Sequence, residues 1–321
     1  MSRILLPPGL AGRAFSVAEA ADAGLGEGRL RGRDLSRPLH GLRGDGLLTD
    51  AVTLARGARL VLPDDVAFSH CTAAALLGLP VPRLREHLWP LHAMRPGGRN
   101  RIDRPECVAH RGLESRETTH ALGVPVVGLA DTWCDLADLL GLDDLVVLGD
   151  AVAARLGTLT PLAEALGRRT RPRGARVLRE ALRWIRVGSG SPMESRTRLL
   201  FVRSGLPEPE LNRQVSHDDG GFLCVSDFVW RRQRVIGEYQ GADHFESFGR
   251  GDDDISRRLL AEDSRWKYIE VTKNDYFNTG RRHSMLSRFA RYLGVEGAAF
   301  RPSRALESRF PTPSTVCRRR G

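Results

Sequence analysis

Between Phe222 and Gln240 apolar and polar residues alternate with a period of two, and carboxylates fall in the apolar row. In an extended strand, residues two apart share a face. Leu223, Val225, Asp227 and Val229 therefore share one face, and Ile236, Glu238 and Gln240 share one face of the next strand. If these strands pair through a turn at Arg231-Arg232-Gln233, Asp227 and Glu238 converge. A carboxylate in an apolar strand is costly to bury unless it is paired. A divalent cation is one such partner, and hard oxygen ligands suit Mg2+ or Mn2+. An ion of this kind polarises a phosphoryl oxygen and generates hydroxide for attack on phosphorus. Pairing with arginine is the structural alternative, and arginine is abundant here.

The flanking sequence frames a compact sheet. A first strand is predicted over 211–216, and Asp218-Asp219-Gly220-Gly221 is a strong hairpin turn before the second. A fourth strand is predicted over 267–272, after a helix over about 254–263. Upstream, 193–204 reads as an amphipathic helix ended by Gly205 and Pro207. Glu194 lies in its first turn and is placed to complete an acid cluster, with Gln240 placed to orient water or substrate. The expected class is α/β (α+β overall), with a mixed sheet flanked by helices over 188–294.

The remainder divides into three expected segments. Over 1–65, Ser16 and Glu19 form a capping box, Gly24 breaks the helix, and a second helix is expected from Gly26 to about Leu35. That helix carries Arg29, Arg31 and Arg33, and Gly41-Leu42-Arg43 follows as a strand or wing. This is the outline of a small winged-helix-like domain able to contact DNA, or of two short helices that simply pack. Residues 66–187 are expected to form a mixed α/β middle domain, with Ser69 capping a helix that runs through Leu77. His70, His87, His92 and His110 lack metal-ligand spacing there and read as structural or surface residues. A basic connector helix closes this segment. Arg176, Arg179 and Arg183 line one side, and Val177, Leu178, Ala181, Leu182 and Ile185 the other. The arginine side suits either a phosphate track or a solvated face. Residues 295–321 are expected to be a basic flexible tail.

The formal net charge of +10 favours polyanionic partners, DNA first. Of 49 basic residues, however, only Lys267 and Lys273 are lysines, so part of the basicity reflects GC-rich coding. No apolar run approaches the roughly 18–20 residues that cross a bilayer, and no signal peptide is recognisable at the N-terminus. Five scattered cysteines without a C-x-x-C pair exclude a zinc ribbon and suit reduced thiols in a cytoplasm.

The ordered pieces Ser191-Pro192-Met193-Glu194-Ser195-Arg196, Ser226-Asp227-Phe228, Glu238-Tyr239-Gln240-Gly241 and His244 resemble an actinobacterial family. It is a family of uncharacterised proteins related to very-short-patch-repair endonucleases, within the PD-(D/E)xK superfamily. Ile269-Glu270-Val271-Thr272-Lys273-Asn274-Asp275 is similar to that family's closing strand and turn. Residues 15–43 resemble the winged-helix segment of AbiEi-type antitoxins, and Phe68-Ser69-His70 and 131–137 are similar to such fusions. The resemblance covers about 191–293. It implies a restriction-endonuclease-like fold, with Asp227 and Glu238 as metal ligands and Glu194 as an accessory acid. His244 is implied in proton transfer or phosphate contact. The superfamily's lysine position is Gln240 here. The implied activity is metal-dependent DNA cleavage in repair, restriction or defence. The alternative is a non-catalytic DNA-binding regulator that keeps the fold as a scaffold.

Overall fold

The computed structural model describes residues 5–45, 50–84, 88–170, 172–241 and 264–304. The helix expected over 254–263, His87, His244, Cys317 and most of the expected tail lie outside them. The chain is α+β, with three sheets among the described residues. The described residues up to Leu140 and from Pro161 to Leu178 form one unit; Gly141–Thr160 and those from Arg179 onward form a second. Among the described residues no single helix is long and apolar enough to cross a membrane.

In the first unit, β1 (Ala14–Ser16), β2 (Leu35–Ser36) and β3 (Leu42–Asp45) form an antiparallel sheet in the order β1-β3-β2. Ser16 caps α1 (Val17–Asp22), and Glu19 reaches back to the Ser16 amide, completing the capping box. The second helix is shorter than its sequence suggests. α2 (Glu27–Leu30) is a single turn, and beyond it Asp34 folds back to take both terminal nitrogens of Arg29 at 2.8 and 3.1 Å. Phe15, Ala20, Leu30 and Leu35 close a small core here. A larger core joins Leu39, Leu42 and Leu54 to Phe68, Leu91 and Val126, so the boundary expected near residue 65 passes through one packed interior.

The central sheet of this unit contains β4 (Ala67–Phe68), β5 (Leu91–Arg95), β6 (Cys107–Arg111), β7 (Thr118–Ala121) and β8 (Val124–Val127). Its order is β6-β5-β4-β8-β7. α3 (Ala51–Arg59), α4 (His70–Leu76) and α5 (Leu129–Asp135) accompany it. Ser69 occupies the cap position of α4, but its hydroxyl does not cap the helix; it lies 3.0 Å from Nδ1 of His70. Asp131 and Asp135 of α5 are buried and neutralised by Arg116, Arg168 and Arg169. The 131–137 motif thus has a structural role in this unit. The four described cysteines are buried. Burial pushes the thiols of Cys71 and Cys134 up to about 12 and that of Cys107 up to about 11, so they behave as small core residues.

In the second unit, β9 (Glu210–Ser216), β10 (Phe222–Trp230), β11 (Val235–Gln240) and β12 (Lys267–Thr272) form one sheet, in the order β12-β11-β10-β9. β9, β10 and β11 are an antiparallel meander, and β12 joins β11 in parallel. Phe228 and Trp230 of β10 meet Phe201 of α9 (Pro192–Arg203) and Phe289, with ring centroids 4.6 to 5.4 Å apart. Phe289 belongs to α11 (Thr279–Leu293), which follows α10 (Lys273–Phe277). Gly237 lets this cluster approach β11, because a Cβ there would lie 3.2 Å from Phe289 and 3.3 Å from Phe228. Val215, Leu223, Val229, Ile236, Trp266 and Tyr268 form a second cluster. The register is regular from Cys224 to Val229, so Val225 shares a face with Asp227 and Val229 as the alternation predicts, although it is 51% exposed. The exception is Leu223: a register shift between Phe222 and Cys224 takes it out of the row and buries it together with Cys224.

Candidate active site

β10 and β11 pair as the alternation requires, with Phe228 opposite Gly237 and Val229 opposite Ile236. Two residues along from Val229 and Ile236, on the same face, stand Asp227 and Glu238. The Tyr239 amide donates to Oδ2 of Asp227 at 2.7 Å, and the Glu238 side chain is hydrogen-bonded to the Asp227 carboxyl. Glu194 supplies a third carboxylate whose charge acts on Asp227.

Glu194 is set in place by three local features. Ser191 caps α9 and accepts from the Glu194 amide at 3.2 Å, with Pro192 opening the helix. The Glu194 carboxylate then accepts from the Gly190 amide at 2.7 Å and from Nδ2 of Asn212 on β9 at 2.6 Å. A Cβ at Gly190 would sit 3.3 Å from both carboxylate oxygens, so glycine permits that approach. The side chain ends up 8% exposed. Asn212 and Gly190 carry no signal in the sequence: each belongs to the site through a partner that only folding supplies.

Burial, with the Glu194 charge second, pushes the Asp227 carboxyl from its ordinary 3.8 up to about 6. The sign of the resulting pH dependence is fixed. Below pH 3.8 the group is protonated whether the chain is folded or not. Between 3.8 and 6 the unfolded chain ionises first, so stability falls as pH rises. Above 6 the whole penalty is present, about 3 kcal/mol. Asp227→Asn removes it while keeping an oxygen to accept from Tyr239. Without divalent cations, Asp227→Asn is expected to exceed wild type in stability by up to about 3 kcal/mol at pH 7. The two should converge near pH 4. Urea denaturation in EDTA at both pH values measures the difference, and equal stabilities throughout would mean that Asp227 ionises without cost.

Glu194 is buried on its helix and Asp227 and Glu238 are half-buried on their strands, and all three offer only hard oxygen donors. Among the described residues the three carboxylates do not bring their oxygens within 4.8 Å of one another, so the strand pair is the candidate ligand set. Asp227 and Glu238 could hold Mg2+ or Mn2+, and Glu194 adds charge beside them. Gln240 ends β11 opposite Thr272, two residues beyond Glu238 on the same strand face. It brings a neutral amide and no cation.

The expected nucleic-acid residues divide into two groups. Arg29 is 6% exposed and paired with Asp34, and Arg31 is paired with Glu27 at 3.0 Å. Arg33 is exposed. Arg176, Arg179 and Arg183 are exposed along α8 (Ala175–Trp184), which follows α7 (Thr160–Gly167), opposite Leu178, Ala181 and Ile185, which are fully buried. Arg183 lies 3.5 Å from Glu180. His70, His92 and His110, which read as structural or surface residues without metal-ligand spacing, are gathered into one cluster. Their positions on α4, β5 and β6 bring them together only in the folded sheet, so no short spacing announces them.

The chain is similar to two uncharacterised proteins from two strains of Mycobacterium tuberculosis. Each is 27% identical over 227 residues, covering 69% of this chain and 79% of the relative. No protein-family profile matches the chain. No solved structure matches it.

Proposed function

We propose that the second unit is a metal-dependent DNA endonuclease domain of the PD-(D/E)xK type, related to very-short-patch-repair enzymes and acting in repair, restriction or defence. The observation that carries this reading is the placement of Asp227 beside Glu238 on the paired strands β10 and β11, with burial and the charge of Glu194 pushing Asp227 up to about 6. A bound Mg2+ or Mn2+ would supply Lewis-acid polarisation of a phosphodiester and a reactive hydroxide. The chain's own residues set the stage. The Tyr239 amide fixes the orientation of Asp227, and the Gly190 amide and Asn212 fix that of Glu194. Asp227 and Glu238 would hold the ion through their carboxylate oxygens.

A second reading, a DNA-binding regulator without catalysis, is favoured by Gln240, which leaves a neutral amide at the superfamily's cationic position. The resemblance of residues 15–43 to AbiEi-type antitoxins points the same way. Incubation of the full chain with supercoiled, linear and single-stranded DNA, with Mg2+, Mn2+ or EDTA, separates the two. Metal-dependent cleavage supports the nuclease; salt-sensitive binding without cleavage in any form supports the regulator.

Both readings involve binding to DNA phosphates, and the exposed arginines of α8 are the candidates. Changing Arg176, Arg179 and Arg183 to Ala is expected to weaken DNA binding without altering sequence preference. The slope of log affinity against log salt should become shallower by roughly 0.9 for each phosphate that the variant no longer neutralises. Fluorescence anisotropy across a salt series measures the slope, and an unchanged slope would return these arginines to the role of a solvated face.

A further inference from the structure

We propose that His70, His92 and His110 form a binding site for a divalent transition-metal ion of the zinc class, distinct in place and chemistry from the carboxylate cluster. One nitrogen from each ring can be chosen so that all lie within 4.8 Å of one another. Nδ1 of His92 and Nε2 of His110 are 3.0 Å apart. Two nitrogens bound tetrahedrally to one zinc at about 2.0–2.1 Å are separated by roughly 3.3 Å, close to the spacing present. The His70 and His110 rings stack with centroids 3.6 Å apart and planes 16° apart, so binding requires one of them to turn about its side-chain bonds until the lone pairs converge. Neutral imidazole suits zinc, copper and nickel, whereas Mg2+ selects oxygen. Three nitrogen ligands leave a fourth position open.

The scaffold holds the three rings from the backbone outward. The Ser69 amide donates to the His92 carbonyl at 3.0 Å, and the His92 amide donates to Oγ1 of Thr72 at 2.8 Å. These two bonds clamp the first turn of α4 onto β5, with His70 between Ser69 and Thr72. β5 and β6 pair in parallel, with His92 opposite Val108, which puts His110 on the same face two residues further along. His70 has a φ of 49°, a left-handed conformation that non-glycine residues adopt rarely and that recurs at ligand clamps. The Ser69 hydroxyl beside Nδ1 of His70 leaves Nε2 as the ligating atom, in the manner of outer groups that orient metal-bound histidines. His92 is 5% exposed, while His70 and His110 are half-buried, so the site has a buried floor and an accessible side.

The test uses the full chain without a histidine tag, stripped with EDTA and titrated with Zn2+ against a chromophoric chelator. Co2+ serves as a spectroscopic probe. One Zn2+ per chain is expected, with the visible absorption of tetrahedral cobalt in the Co2+ form. His92→Gln and His110→Gln should each weaken binding beyond the roughly 10–100-fold that loss of a merely supporting group costs. The double variant Asp227→Asn/Glu238→Gln should retain the full stoichiometry, which separates this site from the proposed nuclease centre. A folded wild-type chain that binds no stoichiometric Zn2+ would overturn the proposal, as would histidine variants that keep the site. Because the wild-type titration is decisive by itself, the proposal does not depend on every variant folding.

Discussion

Asp227→Asn is expected to abolish metal-dependent DNA cleavage, lowering the rate by at least on the order of a thousandfold, or about 4 kcal/mol of barrier. The substitution keeps the size of the side chain and an acceptor for the Tyr239 amide, so the strand pairing of β10 with β11 is preserved. What it removes is negative charge. Asp227 lies in direct hydrogen-bond contact with Glu238 and within the field of Glu194, so it is the member that links the other two. An amide oxygen is a weaker ligand for Mg2+ than a carboxylate, and its neutral nitrogen side cannot share the cation. The metal response should disappear with the activity. At a hundred times its dissociation constant, a cation that binds only the folded chain stabilises it by about 2.7 kcal/mol. Wild type should show that gain with Mn2+, and Asp227→Asn should not. Initial rates of plasmid nicking, read beside thermal unfolding with and without Mn2+, measure both effects. Cleavage by Asp227→Asn within tenfold of wild type would remove the carboxylate cluster from the mechanism.

The pair Asp227 and Glu238 is legible in the sequence because a strand's two-residue period survives in the linear order, and the turn between β10 and β11 is short. Ser191-Pro192 marks the helix start that puts Glu194 in a first turn. What holds its carboxylate is hidden, since Asn212 reaches it from a strand further along the chain. The face of Leu223 is illegible because a register shift before Cys224 breaks the alternation there, and no residue type marks it. α2 is shorter than its pattern, and the return of Asp34 to Arg29 beyond it is a contact that helical propensity does not register. The histidine trio is invisible for a topological reason: its members come from α4, β5 and β6, and only sheet pairing makes them neighbours. Arginine content misleads in the same way. An abundance attributable to coding bias does not say which guanidinium groups are buried. α9 reads as amphipathic, yet Glu194 through Phe201 are buried all round it, because its inward arginines meet aspartates of α6 (Leu142–Leu156).

Arg198→Met should then be the most destabilising single change in the second unit outside its aromatic core, costing about 3–5 kcal/mol. Arg198 is wholly buried and donates to Asp150 at 3.1 Å, to Glu208 at 2.9 Å and to the Trp184 carbonyl at 2.7 Å. Its neighbours Arg196 and Arg203 pair with Asp144 and Asp143, so α9 is fastened to α6 by charge as well as by packing. Methionine fills much of the volume but leaves Asp150, also fully buried, without its cation. Burial already pushes the Asp150 carboxyl above its ordinary value, and Arg198 is the main influence opposing that shift. The Arg186 amide, 2.8 Å from Asp150, remains as a donor and keeps the loss from being larger. Removing both charges avoids the orphaned carboxylate, so Arg198→Met/Asp150→Leu should recover most of the lost stability. By contrast, Arg31→Ala breaks a pair whose side chains are 74% and 85% exposed, and should cost less than about 1 kcal/mol. Urea denaturation of the three variants ranks them. Because α9 also carries Glu194, the same series tests whether the acid cluster depends on this anchor. Mn2+ affinity should fall in Arg198→Met and return in the double variant. A double variant no more stable than Arg198→Met would mean that Glu208 and the Trp184 carbonyl, not Asp150, account for the cost.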